Sequence, residues 1–227
     1  MPKFKNIDLT ARRVTSRVLN DINFKRTQAR YRSDTDPEYV AEALKLLTRA
    51  GIPFDSTVSP REKGVHWDGS MLAIKGQDAS NLLHELAHYQ VAPPAFRDVA
   101  EFGIGRGPDA SYKKDCPYED AIDSRPAMTA EQKYRLPWGS MAILEECRAS
   151  FLGVLWERAL GGTWRDTAHS HNWVNSKAEH PKDPNYIWWQ WENGAEDQQQ
   201  YTKWLLEQGL IDGHGNPKLS FRKTNHD

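Results

Sequence analysis

His84, Glu85 and His88 stand in the order His-Glu-x-x-His, a compact way for a chain to offer two imidazoles and a carboxyl to one metal ion. On a helix, positions four apart share a face, so His84 and His88 reach a common point with Glu85 alongside. Leu82, Leu83 and Leu86 supply the buried sides such a helix needs. Two histidines leave an ion under-coordinated, so a third ligand is expected. No third histidine follows at short spacing. Glu145 and Glu146, near the start of a later helix, are the expected source. They flank that helix's apolar face, one on each side, and helical geometry leaves both open. Ser150, one turn after Glu146, is placed to hydrogen-bond it. Two His and one carboxylate serve two chemistries. A zinc hydrolase uses them with Glu85 as general base on a metal-bound water. A non-haem iron(II) oxygenase uses them with open positions for oxygen and substrate.

The elements that must position these residues can be read around them. Asp36 caps a predicted helix with Pro37 in its first turn, an apolar stripe of Val40, Ala43, Leu44 and Leu47, and Gly51 then Pro53 beyond its end. Residues 52–75 read as extended: Val65 and Trp67 alternate with polar residues, Asp68-Gly69 signals a hairpin turn, and Met71–Ile74 forms a short apolar strand able to pair with an extended peptide. Asp78 or Ser80 caps the His-Glu-x-x-His helix, which runs to about Tyr89 before Pro93-Pro94. Residues 103–139 read as a long ordered loop. Ser140 caps a strong helix over 141–160 whose apolar face is Leu144, Cys147, Phe151, Val154 and Leu155, with Gly161-Gly162 closing it. A last helix over about 195–208 carries Tyr201, Trp204 and Leu205 on one side.

The chain has 227 residues, of which 38% are hydrophobic and 27% charged, with a formal net charge of -1. One domain over 1–227 is expected. Within it, 1–33 forms a basic N-terminal helical arm, and 163–227 forms a Trp-rich C-terminal part. Residues 1–33 hold nine Lys/Arg against Asp8 and Asp21, a local charge of +7. Val14, Val18 and Ile22 mark an amphipathic helix over about 8–30. The arm predicts either a solvated face or contact with nucleic acid or an acidic partner. No run of 18 apolar residues and no apolar stretch after the basic N-terminus occur, so neither a membrane span nor a secretory signal is expected. Two cysteines, Cys116 and Cys147, stand in unrelated contexts, which excludes a disulfide scaffold and a cysteine-built zinc site and predicts a cytoplasmic protein. Cys147 is expected to be an inert core thiol. Gly103-x-Gly105-x-Gly107 lacks the strand and helix of a phosphate loop. His169, His171 and His180 read as loop histidines rather than a second metal cluster. Trp188-Trp189-x-Trp191 reads as core filling rather than a stacking platform.

The stretch from His84 to Asp109 resembles the elongation factor P hydroxylase family. That family carries His-Glu-x-x-His followed at fixed spacing by Arg, Phe-Gly and Pro-Asp; this chain has Arg97, Phe102-Gly103 and Pro108-Asp109 in register, with Ala92 and Ala95 also fitting. The register continues into the later helix, where it favours Glu146 as third ligand. The resemblance covers about residues 79–155. This chain departs from it at Ile104-Gly105-Arg106-Gly107, at Ala110-Ser111, and in a longer link to residue 145. It implies a zincin-like α+β domain in which the metal-binding helix packs on a small sheet beside a glutamate-bearing helix. It also implies iron(II) held by His84, His88 and Glu146, and hydroxylation of a protein or another macromolecule. Glu85 then serves as an acid/base or water-orienting group, and Arg97 or Arg106 holds an acidic substrate or carboxylate. The alternatives are a zinc metallopeptidase with the same ligands and Glu85 as base, and a non-catalytic nucleic-acid or protein binding module.

Overall fold

The computed structural model describes residues 2–23, 32–98, 100–103, 138–162, 164 and 195–223. Among the described residues helices dominate, with one two-stranded sheet, an α+β arrangement. In chain order the elements are α1 (Pro2–Asn23), α2 (Pro37–Arg49), β1 (Phe54–Asp55), α3 (Pro60–Lys63), β2 (Leu72–Ala73), α4 (Ala79–Val91), α5 (Trp138–Leu160) and α6 (Ala195–Gln208).

The helix pair α4–α5 forms the centre. Every residue of α4 from Leu82 to His88 is buried, and so is every residue of α5 from Phe151 to Glu157. A helix enclosed on all sides belongs inside a molecule. The two approach closely at Gly153, where a Cβ would lie 3.3 Å from the His84 Cα. Asp78, not Ser80, caps α4. Its carboxylate accepts from Asn81 N–H at 2.9 Å and from Ser80 Oγ at 3.0 Å. α4 ends at Val91, just before Pro93-Pro94 as expected. α5 starts at Trp138, so Ser140 lies inside its first turn rather than capping it.

α2 follows its sequence signals closely. Asp36 accepts from Glu38 N–H at 2.8 Å, Pro37 opens the helix, and Gly51 takes φ +72° just beyond its end. Its buried face is Tyr39, Ala43, Leu46 and Leu47; of the expected stripe, Val40 and Leu44 are only half-buried.

The sheet is smaller than the extended reading of 52–75 suggests. β1 and β2 pair in parallel, Phe54 with Leu72 and Asp55 with Ala73. The Asp68-Gly69 turn is present: Asp68 Oδ1 accepts from Ser70 N–H at 2.8 Å and Met71 N–H at 2.7 Å, and Trp67 bridges back to Leu72. β2 is therefore flanked on both sides. Leu72 and Ile74 donate to Pro53 and Asp55, while Ala73 donates to His66. The expectation that Met71–Ile74 offers an edge to a peptide is corrected by this pairing, because its N–H groups already have partners.

α1 starts earlier than the expected residue 8. Ala11, Val14 and Val18 are buried, and α1 packs along α6. Thr15 and Thr202 share a buried hydrogen bond of 2.9 Å, and Lys203 pairs with Asp8 at 3.0 Å. The C-terminal stretch returns to α4, where buried Gln90 donates to the carbonyls of Lys218 at 2.6 Å and Ser220 at 2.7 Å and accepts from Trp156 Nε1 at 2.7 Å. Cys147 is buried as expected. No helix among the described residues is long and apolar enough to cross a membrane. The expectations for the 24–30 part of the arm, for Gly105, Arg106, Gly107, Pro108-Asp109 and Cys116, and for His169, His171, His180 and Trp188–Trp191 lie outside the described residues.

Candidate metal centre

The α4–α5 crossing brings three expected ligands together. His84 Nε2 lies 2.9 Å from His88 Nε2, 3.2 Å from Glu146 Oε1, and His88 Nε2 lies 3.3 Å from Glu146 Oε2. Ligand atoms around a tetrahedral ion with bonds of about 2.0–2.1 Å sit roughly 3.3–3.4 Å apart. The three groups thus already stand near the edges of a coordination polyhedron. Both histidines are buried. Two imidazole nitrogens facing each other at 2.9 Å share at most one proton, so the arrangement suits a cation between them.

The electrostatics agree. Burial and the neighbouring His88 charge push His84 down to about 4. Burial also opposes charge on His88, but the Glu146 carboxylate outweighs it and raises His88 to about 9. Burial alone would raise Glu146; the His88 charge and hydrogen bonds from both imidazoles hold it well below the usual carboxylate range. Without metal, the site therefore balances Glu146 with a proton on His88. A divalent ion held there would replace that proton and add charge where the carboxylate can use it. The residues fit a divalent metal.

Helix rotation separates the two glutamates. Glu146 faces α4, and Ser150 Oγ donates to its Oε1 at 3.4 Å, one turn away as the sequence suggests. Glu145 faces the other way, where its Oε1 pairs with Arg148 at 3.0 Å and Arg222 at 3.1 Å. Both guanidinium groups stack on Trp204, at 4.1 and 5.2 Å from its ring. Glu145 thus holds α5 to the C-terminal stretch.

Glu85 lies beside these three candidate ligands, buried, with its Oε2 lacking a hydrogen-bond partner among the described residues. Burial and the Glu146 charge outweigh the pull of His88 and raise its carboxyl to about 7. Arg97 is placed otherwise than a substrate clamp. Its guanidinium donates to the carbonyls of Tyr89 at 3.2 Å and Arg222 at 3.3 Å and lies over the Phe221 ring at 5.1 Å. It ties the end of α4 to the C-terminal stretch.

Two residues near the site belong to no sequence motif, His66 and Glu101. His66 Nδ1 lies 3.7 Å from Glu85 Oε1, and the His66 N–H donates to Glu101 Oε1. His66 occupies a polar place in the Val65–Trp67 alternation, the only local hint of its role. Phe102 stacks on Trp67 at 5.7 Å and on His88 at 5.7 Å, limiting rotation of the His88 ring.

No protein-family model, curated protein or solved structure matches this chain.

Proposed function

We propose that this chain is a divalent-metal enzyme whose ion is held by His84, His88 and Glu146, and that it carries out oxygen-dependent hydroxylation of a protein or another macromolecule at iron(II). The observation that carries the metal reading is the convergence of both Nε2 atoms and the Glu146 carboxylate within 3.3 Å. The choice of iron over zinc follows from the resemblance to elongation factor P hydroxylases, since the ligand set accepts both. The fold proposed is zincin-like, with α4 as the metal-binding helix and α5 as its glutamate-bearing partner over the small sheet. Bound iron(II) supplies the activation of oxygen. The chain's residues supply the rest: Ser150 steadies Glu146, Phe102 limits rotation of His88, and Glu85 keeps a carboxyl at the site to orient water or move a proton. Arg97 acts as a positioning residue for α4.

The zinc metallopeptidase reading uses the same ligands with Glu85 as base. It needs a place for an extended substrate, and the β2 backbone is already paired on both sides. The binding-module reading draws on α1, where Arg12, Arg13 and Arg17 are exposed, and we retain an acidic partner or nucleic acid there as a companion proposal. The two unrelated cysteines favour the cytoplasm.

Metal analysis after anaerobic purification tests the reading. Iron in the protein, lost in His84→Ala and His88→Ala and accompanied by oxygen uptake on addition of a macromolecular substrate, is expected. Stoichiometric zinc with peptide cleavage moves the assignment to the peptidase. A protein that binds neither ion overturns the metal reading and leaves the binding module.

A further inference from the structure

We propose that His66, Glu85 and Glu101 form a second divalent-cation site beside the first, so that the chain builds a two-ion centre with Glu85 between the two groups. The proposal rests on the reading of His84, His88 and Glu146 as a metal site, because it places another ion next to that one. One ligand atom from each of His66, Glu85 and Glu101 lies within 4.8 Å of the others. Three donors on one ion with bonds of about 2.0–2.2 Å stand roughly 3.3–3.8 Å apart. The His66–Glu85 separation of 3.7 Å already meets this, and the remaining spacings, within 4.8 Å, must contract by up to about 1 Å to close on a cation.

An independent observation points the same way. Glu85 is only 8% exposed, and its Oε2 has no hydrogen-bond partner among the described residues. A buried carboxylate oxygen without a donor is costly, and a cation at that point relieves the cost. Glu85 and His88 also stand in Glu-x-x-His spacing, by which bundle helices feed two adjacent metal ions.

The backbone is arranged to deliver Glu101. Its φ of 49° and ψ of 33° lie in the left-handed region, which disfavours a side chain of this kind. The conformation is held by the Glu101 N–H donating to the Trp67 carbonyl at 2.8 Å, while the Glu101 carboxylate accepts the His66 N–H. With both carboxyls ionised by a bound cation and the imidazole neutral, the group carries a charge of about -2, matched by one divalent ion. Oxygen donors with a single imidazole suit Mn2+, Fe2+ or Zn2+ better than a thiophilic ion.

Anaerobic titration of the metal-stripped full chain with Mn2+ alone tests this, read by metal-to-protein ratio and electron paramagnetic resonance, with circular dichroism to check folding. Wild type should take two Mn2+ and show a spin-coupled signal. Glu101→Gln and His66→Gln should each take one and show an isolated-ion signal. The His66 side chain is 38% exposed, so its replacement leaves no core cavity and covers the case in which Glu101→Gln fails to fold. A single Mn2+ in wild type, unchanged in both variants, overturns the second site and leaves the first standing. Two Mn2+ retained in both variants overturns the assignment to these residues. No Mn2+ in wild type overturns both sites.

Discussion

At the scale of single residues, Glu145 and Glu146 are chemically alike and adjacent, yet one helical step gives them opposite surroundings. Glu146→Ala should abolish metal binding with modest loss of stability. Glu145→Ala should keep the metal and lower stability by about 3 kcal/mol, because it strands Arg148 and Arg222 in a buried ion-pair network. Metal analysis and thermal denaturation of the two variants separate these outcomes; a reversed pattern would move the ligand by one position. The His88 proton gives a pH signature. Its folded value, raised to about 9 from an ordinary 6.5, contributes stability that is complete below about pH 6.5 and lost as pH rises through 9. The metal-free protein should therefore lose thermal stability over that window. The same proton must leave when metal binds, so apparent affinity should rise about tenfold per pH unit until His88 deprotonates. A pH-independent affinity between 7 and 8.5 would show that no proton is displaced, contrary to the charge balance drawn for the site.

At the scale of elements, local chemistry made the helices legible and left the sheet obscure. Asp36 and Asp78 each cap a helix because a short carboxylate can satisfy its first free N–H groups, a property of the residue and its immediate neighbours. The His-Glu-x-x-His face was legible for the same reason, since helical spacing alone places His84 and His88 together. The β1–β2 pair was not, because two residues per strand carry no periodicity and parallel register comes from distant packing. His66 and Glu101 share that obscurity: they meet only because the 66–67 stretch lies between β2 and the strained Glu101 turn. Gly153 reads as an ordinary glycine within a helix, and only the crossing gives it meaning. A Cβ there would meet the His84 Cα at 3.3 Å, backbone that cannot swing aside. Gly153→Ala should therefore push α5 from α4 by a few tenths of an ångström, cost about 1–2 kcal/mol, and weaken metal binding by displacing Glu146 from the imidazoles. Unchanged affinity in a destabilised variant would mean that the ligands follow the helices without loss of geometry.

At the scale of the whole molecule, the basic arm has two faces with different duties. Ala11, Val14 and Val18 are buried on the side toward α6, and Gly215 sits so close to Val14 that a Cβ would lie 2.7 Å from it. The turn at Gly213 and His214 thus closes against α1, leaving a groove of about 750 Å3 bordered by Arg12, Arg13, Arg17 and His214. Deleting the arm would expose the packed face, so loss of partner binding in a truncated chain would be ambiguous. Charge reversal avoids this, because the three arginines are exposed and such surface changes alter stability by only about 0.5 kcal/mol. Arg13→Glu with Arg17→Glu should leave melting temperature and metal content unchanged. If a nucleic acid or acidic protein occupies the groove, wild-type binding should weaken steeply with salt, and the double variant should bind far more weakly. For a nucleic acid, each lost phosphate contact should reduce the salt slope by about one. Equal, salt-insensitive binding of the variant and wild type would remove the groove as the contact surface. It would leave the arm's charge as a solvated face over a structural helix.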